Sequence, residues 1–342
     1  MPSWEDTTTK QTIIDFVQDV SNPSSLNYIP PSDRIVTFDN DGTLWTEKPA
    51  YIQELFILDR LGFQRSDVKK LVPKLASLSE NNVNLGESLL TGMTPEEYKQ
   101  KARDFLDNSL HPYLKVPYIE LTYQPMVELV SYLRNNDFNV YICSGGGLDF
   151  IRSFAEDAYG IPPESVIGTS IQTEYIAQAD GSYLLLRKPI LVQPINDGPG
   201  KPVGIERYIG KKPIMAVGNS TGDLEMLDYT DDHQGRALMM LLRHDDPREC
   251  PYAEEAQIEC PYDQKPDDTI NAFDVANSRG WTVISMKDDF VTVFGNLNKV
   301  KKVSRTKKAS GSKNRSGYIT KSRPQEAIDS SFLSRYRTYY NR

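Results

Sequence analysis

Apolar residues along this chain recur in two rhythms. Ile13, Ile14, Phe16 and Val17 return at helical spacing and predict an amphipathic helix over residues 9–20. A Ser/Asn/Pro-rich loop, 21–33, follows. Then the rhythm changes to a short unbroken run, Ile35 to Phe38, which predicts a buried strand. Similar runs cover Asn139 to Cys143, Ser165 to Ile171, Lys212 to Val217, Ala237 to Leu242 and Trp281 to Met286. Between them, helices are predicted over 124–134 and after Leu148, Lys201 and Asp223, and Thr173 to Arg187 reads as a hairpin turning at Asp180-Gly181. The β-α alternation predicts a mostly parallel sheet with helices on both faces. No internal repeat is present.

The texture between Glu47 and Asn136 is different. Leu55, Leu58, Leu61 and Phe63, then Val68, Leu71, Leu75 and Leu78, predict helices. Thr94-Pro95-Glu96-Glu97 carries the marks of a capped helix start: a Thr N-cap, Pro in the first turn and Glu three residues on. A helical block inserted directly after the first strand suits a lid that excludes water. The end of the chain is different again. Residues 299–325 are rich in Lys, Arg, Ser and Gly and contain no acids, a composition too poor in apolar surface to order itself. Phe332 to Tyr340 mixes aromatics with Arg and reads as a short docking helix.

Length and composition bound the function. With 342 residues, 39% hydrophobic and 25% charged, the chain is a globular protein of one large or two modest domains. Its net charge is −8, but the stretch from Lys299 onward carries thirteen Lys/Arg against Glu326 and Asp329. That is +11, which leaves −19 on the rest and argues against general nucleic-acid binding. Three cysteines are too few for a disulfide framework. One stays unpaired, as suits a reducing compartment, and Cys250 with Cys260 are the pair to expect if the chain is exported. The N-terminus shows no signal peptide and no run reaches the ~18 apolar residues of a membrane span, so the expected location is cytoplasmic, with secretion by a signal-less route left open.

Four segments carry chemistry. Asp39 and Asp41 leave the end of the first strand two residues apart, with Gly42 freeing the turn; one carboxylate can attack phosphorus, the other can move a proton, and both can hold a hard cation. Ser144-Gly145-Gly146-Gly147 places a hydroxyl and backbone N–H groups where a strand gives way to a helix, a ready anion site. Lys201 offers a cation, and it is not a Walker A lysine, because Ile195 stands where that loop needs Gly. Asn219 and Asp223, in Gly-Asn-Ser-Thr-Gly-Asp, add an amide oxygen and a carboxylate at another strand end. Glu47, Lys48 and Tyr51 follow the first segment closely enough to face a substrate, or to pack at a hinge. His111, His233 and His244 show no partner pattern and read as structural or surface residues.

Phe38-Asp39-Asn40-Asp41-Gly42-Thr43-Leu44, Cys143-Ser144-Gly145-Gly146, Lys201 and Gly218-Asn219-Ser220-x-Gly-Asp223, in that order, resemble the four motifs of the haloacid dehalogenase superfamily, on its phosphoserine phosphatase-like and acid phosphatase-like side. The resemblance implies an α/β Rossmann-like core at 1–46 and 137–298, a mostly helical cap at 47–136 and a basic, disordered tail at 299–342 outside the family pattern. It implies a Mg2+-dependent phosphatase with an aspartyl-phosphate intermediate. Asp39 would be the nucleophile, Asp41 the acid/base, and Lys201 the charge stabiliser. Ser144 and Gly145, with Glu47 beside them, would bind substrate. Asp39, Asp41 (through its carbonyl), Asn219 and Asp223 would form the metal site. Asn219 stands where phosphoserine phosphatases usually carry Asp; it keeps an oxygen ligand, drops a charge and implies modest metal affinity. Asp41 speaks against the superfamily's dehalogenases and P-type ATPases, because an alkoxide leaving group needs a proton. The expected partner is a small phosphomonoester or phosphoamino acid. The alternatives are a phosphotyrosine phosphatase, a phosphotransferase, or a scaffold whose basic tail meets anionic lipid or an acidic protein electrostatically.

Overall fold

A computed structural model describes residues 1–63, 90–262 and 271–295. Helix α1 (Thr8–Ser21) starts at an N-cap Thr7 whose side chain accepts from Lys10 N, and it buries Ile13, Phe16, Val17 and Val20. It leads into β1 (Ile35–Phe38), in which every residue is buried. Then come α2 (Ile52–Arg60), α3 (Pro95–Asn108), α4 (Gln124–Arg134), β2 (Asn139–Gly147), α5 (Leu148–Arg152), α6 (Ala155–Tyr159), β3 (Val166–Thr169), β4 (Ile171–Ala177) and β5 (Tyr183–Leu191). The chain continues through α7 (Gly200–Tyr208), β6 (Met215–Gly218), α8 (Leu224–Asp231), β7 (Leu238–Arg243), α9 (Ala253–Ala256), α10 (Ala272–Arg279), β8 (Thr282–Ser285) and α11 (Met286–Asp289).

Six strands form one parallel sheet in the order β3-β2-β1-β6-β7-β8. Buried on both faces, such strands read as unbroken apolar runs, which is why they were legible. The order runs one way from β1 to β2 and β3, and the other way to β6, β7 and β8, so the switch in strand order lies at β1. Ligands bind beyond the carboxyl ends of strands at such a point. Val36 and Phe38 are fully buried here, each contributing about 1.5–3 kcal/mol.

The inserted segment shares the core. Phe56 of α2 lies 5.6 Å from Tyr98, 5.5 Å from Phe105 and 5.6 Å from Phe150, centroid to centroid. α3 begins with the expected capping box, Glu97 N donating to Thr94 Oγ1 (3.1 Å) and Thr94 N to Glu97 Oε2 (2.9 Å); losing the Thr cap would cost about 1 kcal/mol. α4, although within 47–136, packs against β2. The β4-β5 hairpin turns at Asp180-Gly181 as expected, with Gly181 at φ +85°. It is pinned to the inserted segment by the buried Arg187, which donates to Leu90 O, lies 3.8 Å over the Tyr98 ring and pairs with Asp149.

Three features depart from the sequence reading. β2 runs on through Gly147 instead of ending at Cys143. Its last residues take tertiary hydrogen bonds in place of a regular ladder: Asn196 Nδ2 donates to Ser144 O (2.8 Å), Thr169 Oγ1 to Gly145 O (2.7 Å) and Gly147 N to Gln53 Oε1 (2.8 Å). Helices α9, α10 and α11 have no counterpart in the sequence reading. Cys250 and Cys260 form a disulfide, the pairing reserved for an exported chain, while Cys143 is free and buried. Among the described residues no helix is long and apolar enough to cross a membrane. The helices expected around Val68 to Leu78 and Phe332 to Tyr340, and the disorder expected over 299–325, lie outside the described residues.

Candidate active site

Asp39 follows the last residue of β1, and its N–H continues the ladder by donating to Val217 O at 2.9 Å. Phe38 pairs with Ile142 on one side and Val217 on the other. Asp39, the residues around Cys143-Ser144 and the Gly218-Asn219 step therefore stand at one level on three adjacent strands. Lys201, in the first turn of α7, is 1% exposed and reaches this level from the side. Its Nζ lies 2.7 Å from Asp39 Oδ1 and 2.5 Å from Asp223 Oδ1. The other Asp223 oxygen accepts from Asn219 N (2.9 Å) and Ser220 N (2.8 Å), which ties the end of β6 to the turn that starts α8.

Asp41 is turned back toward the same space. Trp45 Nε1 donates to its Oδ1 at 2.7 Å, and Asn40 Nδ2 reaches its Oδ2 at 3.3 Å. A Cβ built on Gly146 would stand 3.3 Å from both Asp41 Oδ2 and Ser144 Oγ, so the carboxyl and the hydroxyl flank one glycine. Gly42 sits at φ +76°, and a Cβ there would run into the Asn219 amide. Only glycine serves at this position. Thr43 Oγ1 donates to Asn219 Oδ1 at 3.1 Å.

Burial dominates the electrostatics. It raises the Asp39 carboxyl well above its ordinary range; Lys201 opposes this, and Asp223 and Asp41 reinforce it. Burial likewise lifts Asp41 to about 6, against the hydrogen bonds from Trp45 and Asn40. Cys143 is pushed up to about 12 by the same desolvation, so it is an inert thiol. Three buried carboxylates face one ammonium here, a deficit of positive charge.

That deficit and the donors suit Mg2+. Among the described residues no three His, Cys, Asp or Glu side chains form a cage by themselves. A cation here would rest on the Asp39 carboxylate, the Asp41 carbonyl and Asn219 Oδ1, all oxygen, with water and substrate filling the remainder. Asp223 already engages both carboxylate oxygens, which places it behind such a site as a support.

A second buried group, with one exception not marked by any motif, adjoins the first. His244 Nδ1 lies 3.0 Å from Glu249 Oε2, and its Nε2 faces Asn219 Nδ2 at 3.4 Å. Tyr123 OH donates to Glu249 Oε1 at 2.5 Å, and Tyr262 stacks on His244 at 4.5 Å. Burial works against a charged His244, but Glu249 and then Glu47 outweigh it and raise its pKa. Glu47, the exception, belongs here: Lys48 Nζ is 3.3 Å away. Burial acts to raise the Glu47 carboxyl, yet Lys48 and His244 outweigh it and hold it low. Its charge is thus answered from within the protein. His111, buried with its pKa lowered to about 3 by desolvation, accepts from Tyr113 N and Leu114 N and fits the structural reading. His244 does not fit the reading of a residue without a partner. An i, i+5 His–Glu pair has no periodic signature, so only the fold brings it into view.

The haloacid dehalogenase-like hydrolases match the chain over residues 36–228, more than half its length. A search of curated proteins gives no match. Among solved structures, the chain is similar to a conserved functionally unknown protein from Anaerococcus prevotii DSM 20548 (16% identity, 74% of this chain and 90% of that one, TM-score 0.46). It is similar to a protein of unknown function from Bordetella pertussis Tohama I (15%, 73% and 97%, 0.44). A phosphoserine phosphohydrolase-like protein from Francisella tularensis subsp. tularensis SCHU S4 is also similar (17%, 72% and 99%, 0.38). With its sheet order, its matched residues and its strand-end carboxylates, the chain belongs to the haloacid dehalogenase-like hydrolases.

Proposed function

We propose that this hydrolase is a Mg2+-dependent phosphomonoesterase that works through an aspartyl-phosphate on Asp39, with a small phosphorylated metabolite or phosphoamino acid as substrate. The observation that carries the reading is Lys201 Nζ bridging Asp39 and Asp223 while the Asp41 carboxyl and Ser144 hydroxyl flank Gly146. Asp39 attacks phosphorus in line. The Ser144 hydroxyl, the Gly145 N–H and Lys201 hold the phosphoryl oxygens. Asp41, poised near 6, gives its proton to the leaving oxygen as the P–O bond breaks, then takes a proton from the water that attacks the phosphoryl group and frees Asp39. General acid catalysis of this kind is worth roughly 10²–10⁴ in rate. When bound, Mg2+ would neutralise charge developing on the phosphoryl oxygens. Asn219, one charge short of Asp, would hold it modestly. Within the inserted segment, α2 and α3 serve as the lid, and Gln53 of α2 already holds Gly147 N, while α4 belongs with the sheet it packs on. The Cys250–Cys260 disulfide favours an oxidising compartment over the cytoplasm.

The test is Asp39→Asn, assayed on p-nitrophenyl phosphate and a panel of sugar phosphates, phosphoamino acids and phosphopeptides. Turnover should fall by roughly 10³-fold or more with the fold retained, and the trapped phosphoenzyme should vanish. A variant that retains more than a few per cent of wild-type turnover removes Asp39 as nucleophile.

A further inference from the structure

We propose that Trp45 is the positioning residue for the proton transfers of Asp41, an inference that rests on the phosphatase reading. Trp45 is fully buried, and its indole N–H meets Asp41 Oδ1 at 2.7 Å. An indole nitrogen can only donate. Oδ1 therefore accepts, and the proton that Asp41 carries belongs on Oδ2. That oxygen flanks Gly146 together with Ser144 Oγ and Gln53 Oε1, on the side where the phosphoryl group would lie. Trp45 thus decides which carboxyl oxygen acts and where it points.

The indole is itself held firmly. It stacks on Phe154 with centroids 4.3 Å apart and planes 18° off parallel, and Phe150 lies 6.2 Å away. The backbone from Asn40 to Trp45 closes on itself: Gly42 N donates to Trp45 O at 2.9 Å, and Leu44 N to Asn40 O at 2.8 Å. The donor that reaches Oδ2, Asn40 Nδ2, is longer at 3.3 Å and is oriented by Tyr159 OH donating to Asn40 Oδ1 at 3.2 Å. One oxygen is clamped by a short bond and the other lightly held, an asymmetry that suits a group which must release and regain a proton.

A residue acting through the general acid should matter in proportion to how much the leaving group needs a proton. The experiment compares kcat/KM, which reports on the first phosphoryl transfer, for an alkyl phosphate and for p-nitrophenyl phosphate, whose phenolate leaves unaided. Trp45→Phe should lower the alkyl value at least about tenfold and the p-nitrophenyl value less than about threefold. In an Asp41→Asn background the same substitution should change either value by no more than about twofold, because the group it serves is gone. Benzothienylalanine at position 45 replaces the N–H by sulfur at nearly constant shape, and it must reproduce the split even if Trp45→Phe does not fold. Equal losses on both substrates, a Trp45→Phe loss that survives in the Asp41→Asn background, or full alkyl phosphatase activity with benzothienylalanine each overturn the proposal. A wild-type chain that hydrolyses neither substrate overturns the phosphatase reading as well; a wild-type chain that hydrolyses both while Trp45→Phe leaves their ratio unchanged overturns this inference alone.

Discussion

Two charged clusters meet at Gly42 and Asn219, and they balance their charges differently. In one, Asp39, Asp41 and Asp223 share the single ammonium of Lys201, and the Asp39 and Asp41 carboxyls are pushed up. In the other, Glu47 and Glu249 face Lys48 and His244, two acids against two bases, and Glu47 is held low. The first cluster is out of water, as are His244 and Glu249 of the second, while Glu47 and Lys48 lie at its partly exposed edge. A buried charge without a partner is costly, so the balanced set stabilises the fold and the unbalanced set stores a demand for positive charge. Burial alone does not mark a reactive site; burial with an unmet charge does.

Chelation should divide the two clusters most sharply. With EDTA, phosphatase activity should fall by roughly 10³-fold or more and return with Mg2+, since on the proposed function the unbalanced cluster is the one that would take a cation. Full activity after exhaustive chelation would remove the distinction. Lys201→Met comes next, because it leaves Asp39 and Asp223 buried with no cation. It should cost about 3–5 kcal/mol by denaturant unfolding at pH 8 and less near pH 5, where raised carboxyls take up protons; a loss independent of pH would count against the charge argument.

Asp41→Asn should act in the opposite sense on stability. The folded carboxyl titrates near 6 and the unfolded one near 3.8. The folded form therefore binds the extra proton between these values, and ionised Asp41 costs stability as pH rises through that window. Below about pH 4 the substitution should change little; above about pH 7 it should stabilise the metal-free protein by roughly 2–3 kcal/mol while activity drops. Melting curves in EDTA at pH 4 and pH 8 decide it, and equal shifts at both would contradict the raised carboxyl. The smallest effect is expected at Glu249→Gln: about 1–3 kcal/mol lost from the balanced cluster, with the Mg2+ concentration for half-maximal activity moving less than about threefold. A large shift in Mg2+ requirement would merge the two clusters into one functional unit.

Much of the site was legible because its residues sit at strand ends, where a local pattern reports a local fact. The run Ile35 to Phe38 announced a buried strand, and Asp39 could only follow it. The Thr94 capping box and the Asp180-Gly181 turn were legible for the same reason, since each is closed by hydrogen bonds within a few residues. Where partners are far apart in sequence, the reading stopped. β2 runs past Cys143 because Asn196, Thr169 and Gln53 supply hydrogen bonds from other elements. His244 gained a role only when β6 and β7 set Asn219 beside it.

The sequence by itself determined the order of the strands and of most helices, the residues at strand ends and the kinds of chemical group available there, because hydrophobic periodicity and turn chemistry act over a few residues at a time. Tertiary structure alone decided how those groups share charge and protons: which carboxylates Lys201 bridges, which oxygen of Asp41 meets the Trp45 indole, and that Glu47 finds its counter-charge inside the protein. Those outcomes depend on distances of 2.5–3.3 Å between residues up to 162 positions apart, set by parallel pairing and burial, which no local pattern encodes.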